Sequence, residues 1–426
     1  MQTTIKKFAA IAMIASVAIA SCGDKNDSVD PGNQNEVTLQ SGATIEGTIT
    51  KNTKLVQGGT YTLKAGVHVK PGATLTIPAG VTVKSSLDAS TAYLLIEPGA
   101  KIEAVGTATA PIVFTSGQSN PKPQDWGGII LCGKAPINVQ GGTSPSEMGA
   151  GVNYGGTDAA DNSGTLKYVR VEYTGKKQTP DKEHNGFTFE GVGNGTTVEY
   201  ISSYRGGDDG IEWFGGTVNA KYLVVYGAQD DMFDYTFGWS GKAQFLLGVQ
   251  EQVNNATFKA VGDRGFECDN NGGSNALTPW SNPTISNVTI VGSLVAETGD
   301  DPQGVTEAGK TRALKLRAGT RGQFYNLVAT NFFSGVEVEH DVTLDGMASG
   351  GLNVKNSDIV NAKPWAYKKT DGSAWTGVKP FETADYKNNT TSTAFPSFLN
   401  KTTYVGTNAT DAINPTTLDA WFTAAT

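Results

Sequence analysis

The sequence predicts an all-β solenoid, a fold in which short strands stack coil upon coil, and three observations indicate it. A unit made of a turn and a strand with alternating apolar and polar residues recurs through residues 183–340. Its period of roughly 20–25 residues is typical of solenoids, whose repeats bury their apolar faces only against their neighbours. The chain is also rich in glycine, with 53 residues, and only 17% of its residues are charged, which favours many short strands over a helical bundle.

The first 21 residues have the pattern of a targeting segment. Two lysines precede an apolar run over residues 8–20, which is too short to span a bilayer. The run ends in Ile19-Ala20-Ser21-Cys22, which resembles a bacterial lipobox, the motif at which the cysteine is lipidated. We therefore expect a lipoprotein signal peptide over residues 1–21 and lipidation at Cys22, with acyl chains that form a stable anchor.

Residues 22–36 are polar and acidic, which predicts a flexible tether. Asp24, Lys25 and Asp27 resemble the signal with which some Gram-negative bacteria place lipoproteins on their outer surface. The expected location is the outer membrane, with the protein exposed on the cell surface and touching the membrane through its lipid anchor only.

Short strands with period-two alternation fill residues 37–116, and glycine and proline turns separate them. The clearest strands are residues 66–69, 73–77, 81–83 and 93–96, and the turns are residues 70–72, 78–80 and 97–99.

Three segments resemble a known group of proteins. Residues 66–84, Ala110–Ser116 and Trp126–Ile129 are similar to right-handed parallel β-helix proteins of bacterial surfaces, which belong to the pectin-lyase-like superfold. Residues 126–138 resemble more narrowly a family of uncharacterised Gram-negative surface lipoproteins. The resemblance implies a fold and a location, but it implies little about activity, because this fold hosts lyases, hydrolases, adhesins and inert stalks.

The predicted organisation is a single-domain right-handed parallel β-helix over residues 37–361, followed by an irregular C-terminal cap over residues 362–426. Three segments interrupt the period, at residues 176–183, 270–283 and 293–310. Insertions in solenoids often lie on one face, where they form the walls of a binding groove.

The formal net charge of −8 argues against nucleic acid and anionic membrane surfaces as partners. Nothing in the sequence indicates an obligate partner chain, and we expect a monomer.

The aligned repeats place acidic residues in columns on the outside of the predicted coil. Stacked strands lie about 4.8 Å apart, and like charges directly opposite each other destabilise a sheet. Something must therefore offset the repulsion: a bound cation, basic neighbours, raised pKa values or a ligand. The candidate ligand- or metal-binding residues are Asp208, Asp209, Glu212, Asp230, Asp231, Asp234, Asp263 and Glu267.

Two of these explanations are specific. Ca²⁺ would suit the acidic columns, because it takes six to eight oxygen ligands with loose geometry. Alternatively, basic residues on the same or neighbouring coils would neutralise the carboxylates in a salt-bridge network, and the candidates are Arg205, Arg264, Arg312 and Lys315.

A catalytic interpretation is also open. Asp230-Asp231 and residues 312–317 follow the order in which polygalacturonases place their acidic and basic motifs, but Asp263-Arg264-Gly265 stands where that family has Gly-His-Gly. A lyase would instead need Ca²⁺ and an arginine or lysine base. The catalytic candidates are Asp230, Asp231, Arg264 and Lys315.

The sequence thus supports three functional hypotheses. The first is a surface binding or adhesion module for a glycan that uses the acidic columns. The second is a polysaccharide-degrading enzyme, either a Ca²⁺-dependent lyase or a polygalacturonase-like hydrolase. The third is a structural stalk without a ligand.

Overall fold

The computed structural model describes residues 27–28, 36–88, 90–148, 151–179, 182–251, 262–293, 311–361, 363–390 and 413–423. The predicted signal peptide and Cys22 lie outside these residues, as does most of the predicted tether. In the described part of the chain, 26 strands form one sheet that coils on itself.

The strands have the following bounds. The N-terminal coils contain β1 (Asp27–Ser28), β2 (Glu36–Leu39), β3 (Thr44–Ile49), β4 (Asn52–Leu55), β5 (Thr60–Val69), β6 (Thr74–Pro78), β7 (Thr82–Ser85), β8 (Tyr93–Ile96), β9 (Lys101–Val105), β10 (Ile112–Thr115) and β11 (Ile129–Cys132). The middle of the chain contains β12 (Ser144–Pro145), β13 (Asn153–Tyr154), β14 (Gly164–Glu172), β15 (Lys177–Thr179), β16 (Lys182–Glu183), β17 (Phe187–Glu190), β18 (Thr197–Tyr204), β19 (Ile211–Phe214) and β20 (Asn219–Tyr226). The remaining strands are β21 (Phe233–Thr236), β22 (Lys242–Val249), β23 (Arg264–Asp269), β24 (Thr284–Val291), β25 (Arg312–Arg317), β26 (Gln323–Thr330), β27 (Ser334–Glu339), β28 (Asn353–Lys355), β29 (Asp358–Val360) and β30 (Trp365–Lys368).

Parallel pairing arranges these strands in ladders along the coil axis. One ladder, called ladder C below, consists of β5, β8, β11, β17, β19, β21, β23, β25, β27 and β30. The other two ladders join in β14, which pairs with both β9 and β10, and continue together through β18, β20, β22, β24 and β26. This arrangement confirms the predicted single-domain parallel β-helix.

The inward residues of ladder C form the columns that the repeats predict. The first column is Phe187, Ile211, Phe233, Phe266, Leu314 and Val336, and all six residues are paired in register and buried. In the second column, Trp213 lies between Phe189 and Tyr235, and its ring stacks on that of Trp239 at a centroid distance of 4.4 Å. Offset stacking of this kind stabilises the core beyond simple burial.

Glycine in the repeated unit has a steric reason. A Cβ added at Gly210 would lie 2.3 Å from Cγ1 of Val225, and one at Gly265 would lie 2.6 Å from Cδ1 of Ile290. Both distances are too short for any side chain. The turn that precedes each strand of ladder C therefore lies directly on the neighbouring ladder, and the acidic residues beside the glycine stay on the outside.

The long strands of the joined ladders bend at one residue with positive φ in each coil. The residues are Tyr168, Tyr200, Tyr222, Phe245, Asn287 and Asn326, with φ between 52° and 63°. This left-handed conformation is unusual for aromatic side chains. The aromatic rings stack from coil to coil at 4.4, 4.2 and 4.9 Å, and this stacking offsets the backbone strain.

The segment between β11 and β14 is an insertion that the sequence did not predict. It contains the β12–β13 hairpin, whose strands pair antiparallel. Met148, Val152 and Tyr154 of the hairpin pack on Leu95 and Ile130, which face outward from ladder C. The outer side of β8 and β11 is therefore covered by an apolar cluster of its own.

The described residues after 361 pack against two different parts of the β-helix. Strand β30 continues ladder C past the predicted boundary at residue 361, and Phe381 covers the last coil as part of the main core.

Residues 413–423, called the strap below, lie instead along the outer side of the joined ladders. There Asn326 exchanges two hydrogen bonds with Ile413, and Gln244 exchanges two with Thr423.

Helical structure is sparse in the described residues. Helix α1 (Asp341–Ala348) follows β27, and single 3₁₀ turns lie at Pro380–Glu382, Ala384–Tyr386 and Pro415–Thr417. None of these helices has the length and apolar composition that crossing a membrane requires.

The core stack predicts a large effect of one substitution. Trp213 is 1% exposed, so Trp213→Ala should lower the free energy of unfolding by about 3–5 kcal/mol. Chemical denaturation followed by circular dichroism measures this change. Val224→Ala is the matched control, because Val224 is 39% exposed and its truncation should change the stability by less than about 0.5 kcal/mol. Equal effects of the two substitutions would contradict the described core.

Candidate functional site

All eight predicted acidic residues lie together on the outer side of ladder C. Glu212, Asp234 and Glu267 are paired in register on β19, β21 and β23. The remaining five carboxylates belong to the turns that immediately precede these strands. The columns that the repeats predict are therefore present, and we call this surface the acidic groove.

The carboxylates of the groove form three overlapping groups of three. Within each group, one oxygen of every residue lies within 4.8 Å of the others. The groups are Asp208–Asp209–Asp230, Asp209–Glu212–Asp234 and Asp231–Asp234–Glu267. Asp209 and Asp234 each belong to two groups, and Asp263 belongs to none of them. Spacing of this kind suits several oxygen ligands around one cation.

Arg264 neutralises one end of the groove. Its guanidinium lies 3.2 Å from Asp231, 3.4 Å from Glu267 and 3.5 Å from Asp263. Arg317 adds contacts of 2.9 Å to Glu267 and 2.8 Å to Asp269. Burial opposes the charge of Arg264, but the surrounding carboxylates outweigh it and raise the pKa of the guanidinium further. The third group is therefore largely compensated from within the protein.

The other predicted basic partners are engaged elsewhere. Arg312 and Lys315 both contact Glu337, and Lys315 also lies 2.8 Å from Glu339. Arg205 pairs with Glu251. Of the four basic residues expected to neutralise the acidic columns, Arg264 alone makes an ion pair with them among the described residues, and Arg317 was not among the predicted partners.

The middle of the groove lacks such compensation. Asp208, Asp209, Glu212 and Asp234 make no ion pair with any Lys or Arg in the described ranges. Burial, followed by the charge of neighbouring carboxylates, raises the pKa of each of them well above the ordinary value. The four side chains therefore favour a bound proton or a bound cation at neutral pH.

Asp230 and Asp231 differ in their surroundings. The Asp230 side chain is 37% exposed, yet burial of the surrounding recess and the charge of Asp231 raise its pKa well above the usual range. For Asp231, burial raises the pKa to about 7 while Arg264 opposes the increase. The groove is thus an open recess and not a closed cavity.

Two residues at the N-terminal end of the groove were not predicted. Asn185 Nδ2 donates to Glu212 Oε2 at 2.5 Å, while Asn185 Oδ1 has no hydrogen-bond partner in the described part of the chain, although the residue is only 2% exposed. His184 is 1% exposed, and its ring packs on that of Tyr93 at a centroid distance of 5.1 Å. Burial, together with the charge of Lys176, lowers the pKa of His184 to about 4, so its ring is neutral.

The β12–β13 hairpin contributes a second buried carboxylate site. Glu190 on β17 accepts hydrogen bonds from Cys132 Sγ at 3.0 Å, from Ser146 Oγ at 3.1 Å and from the Glu147 backbone N–H at 2.7 Å. Glu147 interacts electrostatically with Glu190 and with Glu212 and Asp208 of the groove. This site could not be predicted from the sequence, because the insertion has no repeat from which its register could be derived.

The two basic catalytic candidates are held in ion pairs. A lyase base must give up a proton, but Arg264 contacts four carboxylates, and Lys315 is held by Glu337 and Glu339. The surrounding carboxylates keep Arg264 protonated, and the Lys315 ammonium group is occupied by its two ion pairs.

Comparison with known proteins agrees with the coiled architecture. Residues 47–418 match the family described as "Pectate-lyase like beta helix domain". The chain belongs to this pectate-lyase-like β-helix family. The family membership fixes the fold and leaves open whether the chain binds a ligand or transforms it.

The search of solved structures gave a weak similarity to the rice weevil pectin methyl esterase, with 11% sequence identity and a TM-score of 0.22. The alignment covers 71% of this chain and 82% of the esterase. No curated protein matches the chain.

The raised pKa values predict how stability depends on pH. Carboxyl groups with raised pKa values bind protons more tightly in the folded than in the unfolded protein, so stability falls as the pH rises from about 4 through their folded values. With chelator present, the melting temperature should decrease between pH 7.5 and 8.5, where the carboxyls and histidines of the unfolded chain carry almost no protons. Each excess proton corresponds to about 1.4 kcal/mol per pH unit.

Differential scanning calorimetry measures this slope. The control is the double variant Asp209→Asn with Asp234→Asn, which keeps the shape of both side chains and should reduce the slope. A melting temperature that stays constant or increases over this range would show that the groove carboxylates are not protonated as described.

Proposed function

We propose that the protein is a surface lipoprotein that binds a divalent cation, with Ca²⁺ as the best candidate, in the acidic groove and holds acidic glycans through it. The observation that carries the proposal is the uncompensated middle of the groove. Asp208, Asp209, Glu212 and Asp234 are close together and make no ion pair with a basic residue among the described residues, while Lys177 and Arg317 act on Asp208 and Asp234 from beyond ion-pair distance. A bound cation would remove the repulsion that raises their pKa values.

The ligand set supports a hard cation. The three groups contain carboxylates only, and Asn185 adds an amide oxygen next to Glu212. Oxygen ligands suit Ca²⁺ and Mg²⁺, whereas Zn²⁺ and Cu²⁺ favour sulfur and imidazole. Three carboxylates from separate coils offer irregular geometry, which Ca²⁺ tolerates better than Mg²⁺ does.

The openness of the groove supports a glycan as the second ligand. The exposed side chain of Asp230 is open to solvent, so a cation bound beside it would keep free coordination positions. The carboxylate of an acidic sugar could fill these positions. A neutral glycan would gain less from this surface, because the aromatic rings of the joined ladders stack on one another and offer their edges instead of their faces.

The N-terminal pattern completes the proposal. A signal peptide over residues 1–21, lipidation at Cys22 and a tether to residue 36 would hold the β-helix at the outer surface of the cell. A monomer is sufficient for this role, because the described groove is formed within one chain.

An enzymatic role is the second candidate, and one residue favours it. Asp231 has a pKa of about 7, which is suitable for a general acid or base at neutral pH. Its carboxylate also contacts Arg264 at 3.2 Å, so a substrate would have to displace this ion pair.

Cation binding predicts a change in stability. Ca²⁺ at 100 times its dissociation constant should stabilise the folded protein by about 2.7 kcal/mol, measured as an increase in the melting temperature relative to chelator. The double variant Asp209→Asn with Asp234→Asn removes charge from all three groups and should lose the increase. A wild-type protein that melts at the same temperature with and without Ca²⁺ would overturn the cation site.

Glycan recognition predicts that binding depends on the cation. Polyuronates on a glycan array should retain the wild-type protein in Ca²⁺ and release it in chelator, while neutral polysaccharides should not retain it in either buffer. Chain-length analysis of the retained polymer separates the two candidate functions. Shortened products that disappear in an Asp231→Asn variant would replace the binding role with an enzymatic one.

A further inference from the structure

We infer that Glu147, carried by the β12–β13 hairpin, is a further ligand of the cation in the acidic groove, and that the bound cation clamps this hairpin onto ladder C. The inference rests on the proposed cation-binding function. It adds a residue that belongs to none of the three carboxylate groups, and it assigns a role to the insertion.

The hairpin is anchored one strand away from the groove. The Glu147 backbone N–H and Ser146 Oγ both donate to Glu190 Oε1. Glu190 lies two residues after Thr188 on β17, and Thr188 is paired in register with Glu212 on β19. The base of the Glu147 side chain is therefore held by its own backbone beside the strand that carries Glu212.

Glu147 is partly buried, and one oxygen of its carboxyl group, Oε2, is buried and has no hydrogen-bond partner among the described residues. Burial and the charge of Glu190 raise the pKa of Glu147 to about 8, and Lys182 opposes the increase. After burial itself, Glu147 is the largest contributor to the raised pKa of Glu212, and it also acts on Asp208. Its charge is thus directed at the uncompensated middle of the groove.

Asn185 provides the independent sign of a missing ligand. Its Oδ1 is buried, has no partner in the described ranges, and belongs to a side chain that already touches Glu212. A cation beside Glu212 would contact this amide oxygen after a small rotation of the side chain. The ligands would then be Glu147, Asn185, Asp209, Glu212 and Asp234, which come from the hairpin and from three neighbouring coils.

These five ligands explain why cation binding would hold the hairpin against ladder C. Asp209, Glu212 and Asp234 already lie within 4.8 Å of one another, whereas Glu147 stands outside that group. Its carboxylate can complete the coordination only by turning towards Glu212, and a Ca²⁺ ion prefers six to eight oxygens. Coordination by Glu147 would therefore tie the hairpin to β19 and β21.

Calorimetric titration with Ca²⁺ tests the ligand. Glu147→Gln keeps the backbone anchor to Glu190 and removes only the charge, so it should weaken Ca²⁺ binding about tenfold or more. Asp158→Asn is the matched control, since Asp158 is an exposed acidic residue of the same insertion, and its affinity should equal that of the wild type. Equal affinities of the wild type and Glu147→Gln would overturn the inference and leave the proposed function standing. A wild-type protein without any Ca²⁺ binding would overturn both.

Hydrogen exchange tests the clamp and does not depend on a folded variant. Saturating Ca²⁺ should slow amide exchange in residues 144–148 and 151–154 of the wild type, whereas peptides from the strap should keep their rates. Unchanged hairpin exchange in a protein that binds Ca²⁺ would overturn the inference. In Glu147→Gln at saturating Ca²⁺, the hairpin should exchange at the rate of the cation-free wild type.

Discussion

The register of strand stacking in ladder C is the constraint on which the rest of the structure depends. Neighbouring strands lie about 4.8 Å apart, so every residue is repeated above and below by the residue at the same position of the next coil. For inward residues this repetition is favourable, because Trp213 stacks on Phe189 and Phe233 stacks on Phe266, each at the same position of a neighbouring coil. Glu212 and Asp234 are paired in the same register. For these two carboxylates the repetition produces electrostatic repulsion that the strand geometry cannot relieve.

The protein offsets this repulsion differently along the ladder. Over β8 and β11 the outer residues are apolar and lie under the insertion. Near the C-terminal end, Glu337 is 2% exposed and contacts Arg312, Lys315 and Lys368. Burial would raise its pKa, but these three cations outweigh it and bring the pKa to about 2. Between these regions, Asp208, Asp209, Glu212 and Asp234 make no ion pair within the described chain, and this is where we propose the external cation.

The repeats allowed the core and the acidic columns to be predicted, because period and alternation determine which residues stack. The partners of the carboxylates were harder to predict. Arg317 and Asp269 directly follow the six-residue unit that the repeats align, so they lay outside the predicted columns. Glu147 and Asn185 were not predicted for another reason. Glu147 lies in an aperiodic insertion and Asn185 lies in a turn, and the sequence does not reveal the register of either segment. The same reason applies to the strap, which was expected to cover the last coil.

The strap has a consequence for how the molecule unfolds. A solenoid held only by contacts between adjacent coils can fray one coil at a time from its ends. Here Asn326 on β26, Gln244 on β22 and Lys221 on β20 all bind the same short segment. If any one of these coils unfolds, its hydrogen bonds to the strap are broken, and the strap also binds the other two coils. The C-terminal half should therefore open as a single cooperative block, with the acidic groove inside it.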